Sequence, residues 1–348
     1  NIYNNDELIF SRGLSQGSEN IEVMVIHQLP RSQGGGYNCH GMTQKQCDAY
    51  YMNNGEDCPG MNDMYEGKEG YTDPSRYNKD PRPAGVIEAK ELEDYPELGS
   101  KGAGVSRQYA HREPRFYASI GFNYCVWPGT SYTGTEAIKN FVANYYKDGN
   151  SQPTGNIKVD YNRTGYTCRK YINQEDVNNW QGTIKAKTYP VIRYAEVLLG
   201  YVEAMNEMKS SYTDDKTGVS VSRNVADMVF YFNQVRYRAG LPGITEAQAS
   251  DYQTMKELIK QEWRVEFAFE DHRYYDLRRW KDAPSAYNKP ITGLDVSAKI
   301  SERQRFYSVR VWNTEVAMKR VFSNKMYFYP IDQNTLDRNA NLVQNPGW

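Results

Sequence analysis

The chain of 348 residues lacks any apolar run long enough to cross a bilayer as a helix, and its mean hydropathy is −0.81. It also lacks an excess of charge of either sign. Forty-two Lys and Arg face 43 Asp and Glu, so the net charge of −1 excludes the basic footprint that nucleic-acid binding needs. Histidine is scarce at four residues, and no His-Glu-x-x-His, phosphate-cradling P-loop or Gly-x-Ser-x-Gly elbow occurs. The sequence therefore offers no catalytic residue, no metal centre and no cofactor, and an enzyme is not expected. Cysteines number only five, too few for a disulfide scaffold. Cys39, Cys47 and Cys58 share a Gly-rich region where one bridge is conceivable in an exported protein, and their spacing is not that of a zinc site.

Aromatic residues are what the chain has in abundance: 30 Tyr and 6 Trp. Both offer an apolar face with a polar edge, suited to core packing and to wet binding surfaces alike. In residues 59–105 and again in 130–180 they sit among Gly, Asn and Pro with no helical or strand period, as in long functional loops, while the run from Gly121 to Gly129 between them begins as a strand and ends in a turn. The most regular stretch runs from Thr254 to Trp280. Met255, Leu258, Ile259, Glu262, Val265, Glu266 and Phe269 recur at helical spacing, so two carboxylates share a face with the apolar stripe. Acids so placed need cationic partners, and Arg273, Arg278 and Arg279 follow within the next dozen residues. A structural ion-pair cluster of Glu262, Arg264, Glu266, Arg273, Asp276 and Arg278 is expected, with Asp271 ending the helix because Asp tolerates a left-handed backbone. Two more helices are predicted over Pro190–Ala204, opened by its proline, and Val225–Ala239. Ile21–Ile26, short and rich in β-branched residues, reads as a buried strand.

The pattern Glu262-x-Arg264-x-Glu266-Phe-Ala-Phe-Glu270-x-His272-Arg273-x-x-Asp276-Leu277-Arg278-Arg279-Trp280 resembles the signature of the SusD/RagB family. Three further segments are similar to that family: Glu113-Pro114-Arg115-Phe116, Arg193-Tyr194-Ala195-Glu196, and the closing run from Met326 to Gln344-Asn345-Pro346-Gly347-Trp348. Trp263 stands where the family commonly has a basic residue, and Asp271 where it commonly has glycine. The resemblance implies a mostly α fold, a tetratricopeptide-like helical scaffold with a large irregular lobe and short β-strands. Residues 1–188 would form the loop-rich lobe facing ligand, and 189–348 the scaffold with the closing motifs. Family members are longer and begin with helical repeats not seen here, so the chain is expected to match their C-terminal portion.

By the same resemblance the protein would capture an oligosaccharide at the outer face of the outer membrane. It would act as a lid on a TonB-dependent, SusC-like β-barrel transporter, with a lipid anchor that this chain does not contain. Oligopeptide capture is the alternative within the family, and a helical adaptor without small ligand the alternative outside it. Family ligand residues lie in variable loops, so no motif carries them over. On composition, Tyr37, Tyr65, Tyr71, Tyr77, Trp127 and Tyr132 are the candidate ligand platform, with Asn38 and Arg76 at its rim.

Overall fold

The computed structural model describes residues 5–13, 21–62, 80–152, 161–311 and 320–348. Among the described residues, helices and irregular segments dominate and strands pair only two by two. The first half contributes strand β1 (Leu8–Arg12), helix α1 (Ile21–Gln28), helix α2 (Gln44–Ala49) and helix α3 (Pro114–Ser119). Four two-residue strands follow: β2 (Ile120–Gly121), β3 (Val126–Trp127), β4 (Phe141–Val142) and β5 (Thr167–Cys168), with β2 on β5 and β3 on β4. Strand β6 (Tyr189–Arg193) runs antiparallel to β1 and leads directly into α4 (Tyr194–Glu207). A hairpin of β7 (Tyr212–Thr213) and β8 (Ser220–Val221) then turns the chain back into α5 (Val225–Arg238). After α6 (Glu246–Ser250) come α7 (Tyr252–Glu266) and α8 (His272–Arg279). Short elements complete the chain: α9 (Ala283–Tyr287), β9 (Thr292–Leu294), α10 (Arg303–Phe306), β10 (Val309–Val311) and α11 (Gln333–Arg338).

Two of the sequence expectations are corrected here. Ile21–Ile26 is helix α1, not a strand; Val25 and Gln28, three apart, are its buried positions, so the run obeys a helical period. A short β-branched run cannot by itself distinguish the two states. Pro190 does not open a helix either. It lies inside β6, opposite Ser11, and the helix starts four residues later with Arg193 at its N-cap. A two-stranded pair leaves one edge free on each strand, where a missing N–H costs nothing.

Helix α7 is the spine of the fold. Asp251 caps it, its carboxylate accepting from the Thr254 N–H. Met255, Ile259 and Trp263 pack, together with Phe267 just beyond its end, into a core built with Leu199 and Val202 of α4 and Met228 and Phe232 of α5. Val265 points instead into the larger aromatic core of the loop-rich half, among Tyr50, Tyr109, Phe116, Trp127, Tyr145, Tyr146 and Tyr166. Much of the tyrosine is therefore structural. Tyr109 Oη donates to Tyr166 Oη at 3.1 Å, which donates to Gln44 Oε1 at 2.9 Å, so these two buried hydroxyls are satisfied. Glu262 and Glu266 emerge from α7 between the two cores, and the charges that hold the halves together gather there.

Candidate functional site

Glu266 Oε1 lies 2.7 Å from Arg193 Nη1 and 2.6 Å from Arg238 Nη2, and its Oε2 lies 2.9 Å from Arg115 Nη1. Arg115 Nη1 also reaches Glu262 Oε1 at 2.6 Å, and Arg115 Nε reaches Glu113 Oε2 at the same distance. Arg193 Nε binds Glu270 Oε2 at 2.7 Å. Burial raises the Glu266 pKa, but Arg193, Arg115 and Arg238 together outweigh it and hold the carboxyl well below the usual carboxylate range. At Glu113 burial prevails over Arg115, and the pKa rises. The cationic partners thus come from α3, the β6–α4 junction and the end of α5, three elements that α7 packs between.

The ion-pair cluster expected from the sequence is corrected in its membership. Glu262 and Glu266 are paired, but not by Arg273, Arg278 or Arg279. Asp276 pairs with Arg279 at 2.8 Å. Among the described residues Arg264 makes no ion pair with a carboxylate; it is half-buried, donates to Gln46 Oε1 at 3.0 Å and to the Lys45 carbonyl, and its pKa is lowered to about 9, chiefly by burial and then by Arg273. Arg278 lies over the Tyr274 ring with its guanidinium carbon 3.4 Å from the centroid and donates to the Tyr274 carbonyl at 2.9 Å. Asp271 does adopt the left-handed backbone, at φ 64°, as does Phe269 at 62°, but it does not end α7, which stops at Glu266 with Phe267 as its C-cap; Asp271 is the N-cap of α8.

The proposed ligand platform divides in three. Trp127, Tyr132 and Asn38 are at most 1% exposed and present no face to a ligand, a correction with a packing cause. Trp127 sits over Gly121, where a Cβ would come 2.8 Å from the indole, and Arg169 lies 5.0 Å from its ring centre. Tyr132 packs with Ile138 and Val177, and Asn38 Oδ1 accepts from Thr167 Oγ1 at 2.9 Å. Tyr37 is exposed, its ring edge-on to His27 at 5.0 Å. Tyr65, Tyr71, Arg76 and Tyr77 lie outside the described residues.

Trp180 was not among the candidates, yet it is 88% exposed. It stands in the run Asn178-Asn179-Trp180-Gln181-Gly182, a turn composition around an aromatic ring that was the available signal. Asn178 Nδ2 donates to the Gly35 carbonyl at 2.9 Å, so the loops carrying Tyr37 and Trp180 are neighbours. A cavity of about 320 Å³ opens elsewhere in the same half, where Asp80 resumes the chain after residues 63–79. Pro83, Ala84 and Gly85 make much of its wall apolar, and Ser106, Gln108, Arg303, Gln304 and Tyr307 add hydrogen-bonding groups among them. Its own acid and base are engaged with each other, Arg82 Nη1 lying 2.9 Å from Asp80 Oδ1. Such a lining suits a neutral, hydroxyl-rich ligand. Among the described residues no helix is long and apolar enough to cross a membrane.

Comparison with known proteins agrees with this architecture. The SusD family profile matches residues 6–348, and the chain belongs to that family. A curated relative, SusD-like protein P2 of Formosa agariphila, is 27% identical over 187 residues, covering 51% of this chain and 30% of its own. Among solved structures, a SusD-like protein from Bacteroides fragilis aligns over 99% of this chain and 55% of its own, with TM-score 0.68 and 24% identity. A SusD-like carbohydrate binding protein from the same organism aligns over 97% of this chain and 55% of its own, with TM-score 0.59 and 23% identity. The fold is shared with both. The chain spans about half the length of these solved relatives.

Proposed function

We propose that the protein is a non-catalytic binding protein of the cell surface that captures an oligosaccharide and passes it, as a lid, to a SusC-like TonB-dependent transporter of the outer membrane. The observation that carries the saccharide reading is the cavity of about 320 Å³ lined by Ser106, Gln108, Arg303 and Gln304. A sugar presents both C–H faces and hydroxyls, and this wall sets a few hydrogen-bonding groups among apolar ones, its carboxylate Asp80 already paired with Arg82. Exposed rings on neighbouring loops, Tyr37 and Trp180, add flat faces on which the C–H side of a pyranose packs. Family membership and the likeness in fold to the Bacteroides fragilis carbohydrate binding protein support the same class of ligand. Residues 63–79, with Tyr65, Tyr71, Arg76 and Tyr77, join the described chain at this cavity and remain candidates for its rim.

A frame tied by multiply shared carboxylates suits a lid, because a rigid body can swing without losing its site. Isothermal calorimetry of the protein against a panel of neutral oligosaccharides and a parallel peptide library tests the reading. Saccharide binding weakened at least about tenfold, or 1.4 kcal/mol, by Gln108→Ala or Trp180→Ala is expected. Binding confined to peptides would transfer the lid role to oligopeptides, and silence in both panels would leave a scaffold protein. Co-purification with a large β-barrel from outer membranes tests the partner separately.

A further inference from the structure

A second cavity, of about 390 Å³, lies at the turn between α7 and α8. Its walls are Met24, Tyr189, Phe267, Phe269 and Tyr274, with two charged groups, Asp271 and Arg273. Asp271 is not free: its Oδ2 accepts from Tyr189 Oη at 2.9 Å. Arg273 is different. Among the described residues no carboxylate comes within ion-pair distance of it and no hydrogen bond satisfies its guanidinium, although it is half-buried. Asp276 and Asp282 act on it only at longer range, and burial lowers its pKa. It also faces a second cation, since Arg264 and Arg273 repel each other, while Asp48 acts favourably on Arg264 alone.

The surrounding backbone is held in costly conformations. Phe269 and Asp271 both have positive φ, and both line the cavity. The Phe269 carbonyl is pinned by Tyr171 Oη at 3.1 Å, and the Tyr171 ring stacks on Tyr189 at 6.1 Å. Left-handed non-glycine residues persist where their surroundings over-determine them, and such places are enriched in binding sites. A half-buried guanidinium without a partner is equally unfavourable, and an anion arriving there relieves both its isolation and the repulsion from Arg264.

We propose that this cavity is a second saccharide subsite, selective for a sugar unit that carries a carboxylate. The ring lies against Tyr189 and Phe269, whose faces match its C–H side, while Phe267, 2% exposed and covered by the Arg193 guanidinium at 4.7 Å, only backs the wall. The carboxylate meets the Arg273 fork in the paired geometry that planar guanidinium favours. Tyr274 supplies only an edge, because Arg278 occupies one of its faces. Asp271 opposes the incoming charge, so a single negative group is accommodated and a densely charged ligand is not. The inference rests on the saccharide reading for the class of ring, and adds to it a demand for negative charge at a separate place.

The test is calorimetry of the whole chain with trigalacturonate, with its trimethyl ester, which keeps the rings and loses the charge, and with the neutral panel above. Trigalacturonate is expected to bind at least tenfold tighter than the ester. Arg273→Gln is expected to abolish that preference while leaving neutral saccharides bound at the first cavity. Asp271→Asn, which keeps the left-handed backbone accessible, moves the other way and tightens trigalacturonate binding; a merely misfolded variant cannot do that. Equal binding of acid and ester, a preference that survives Arg273→Gln, or no trigalacturonate binding overturns the subsite. If the neutral panel still binds, the saccharide reading stands without it; if nothing binds, both fall.

Discussion

Replacing Glu266 by glutamine keeps the shape of the side chain and removes the one charge that three guanidinium groups share. In the folded protein its oxygens lie within 2.9 Å of Arg115, Arg193 and Arg238, and its side chain is 4% exposed. The amide still accepts on one oxygen but now points an N–H₂ donor at donors. Arg193 retains Glu270 and Arg115 retains Glu113 and Glu262, so part of the compensation survives. Removing one partner from a buried pair typically costs about 3–5 kcal/mol, because the remaining charge stays desolvated. At roughly 2.1 cal/mol/K per residue, 348 residues unfold with about 0.7 kcal/mol/K, so the midpoint should fall by about 4–7 °C.

Thermal unfolding followed by circular dichroism measures this, and the pH dependence sharpens it. The folded pKa of Glu266 is depressed, so its contribution is complete above the unfolded value near about 4.3 and is lost as pH falls through the folded pKa. The gap between the two proteins should therefore be constant above about pH 5.5 and narrow below about pH 4. A Glu266→Gln protein that melts within about 1 °C of the unsubstituted one at pH 7 would show that the carboxylate is not what ties these elements together.

Trp127→Ala should cost about 3–5 kcal/mol in urea unfolding, as expected for an aromatic removed from a core, whereas Trp180→Ala should stay within about 0.5 kcal/mol and act only on ligand affinity. The reverse outcome would exchange their roles. Asp251→Ala removes the acceptor for the Thr254 N–H at the start of α7 and should destabilise by about 1 kcal/mol, read from the same urea curves. An unchanged midpoint would mean that water replaces the cap.

Much of the helical half was legible because local physics coincides there with the fold. The apolar period of α7 depends on neighbours within a few residues, and so does the left-handed backbone at Asp271, although α7 stops earlier, at Glu266, and Asp271 opens α8 instead. The misreadings share a cause. Ile21–Ile26 and Pro190 were judged without their tertiary surroundings, and pairing with β1 made a strand of Tyr189–Arg193 where the sequence pattern suggested the first turn of a helix.

What the amino-acid order determined by itself was the family, the helical scaffold and the need of Glu262 and Glu266 for cations. Which cations answered was decided only in three dimensions. Arg115 is 147 residues from Glu262 and Arg193 is 73 from Glu266, while Arg273, close in sequence, was carried round the α7–α8 turn to a cavity whose acid, Asp271, is bound by Tyr189 instead. The same holds for the aromatics: Trp127 and Trp180 both stand in polar, turn-rich company, and folding buried one and exposed the other. Periodicity and capping act over a turn of helix, so they can be read along the chain. Ion pairing and burial act between surfaces that meet only after the chain has closed on itself.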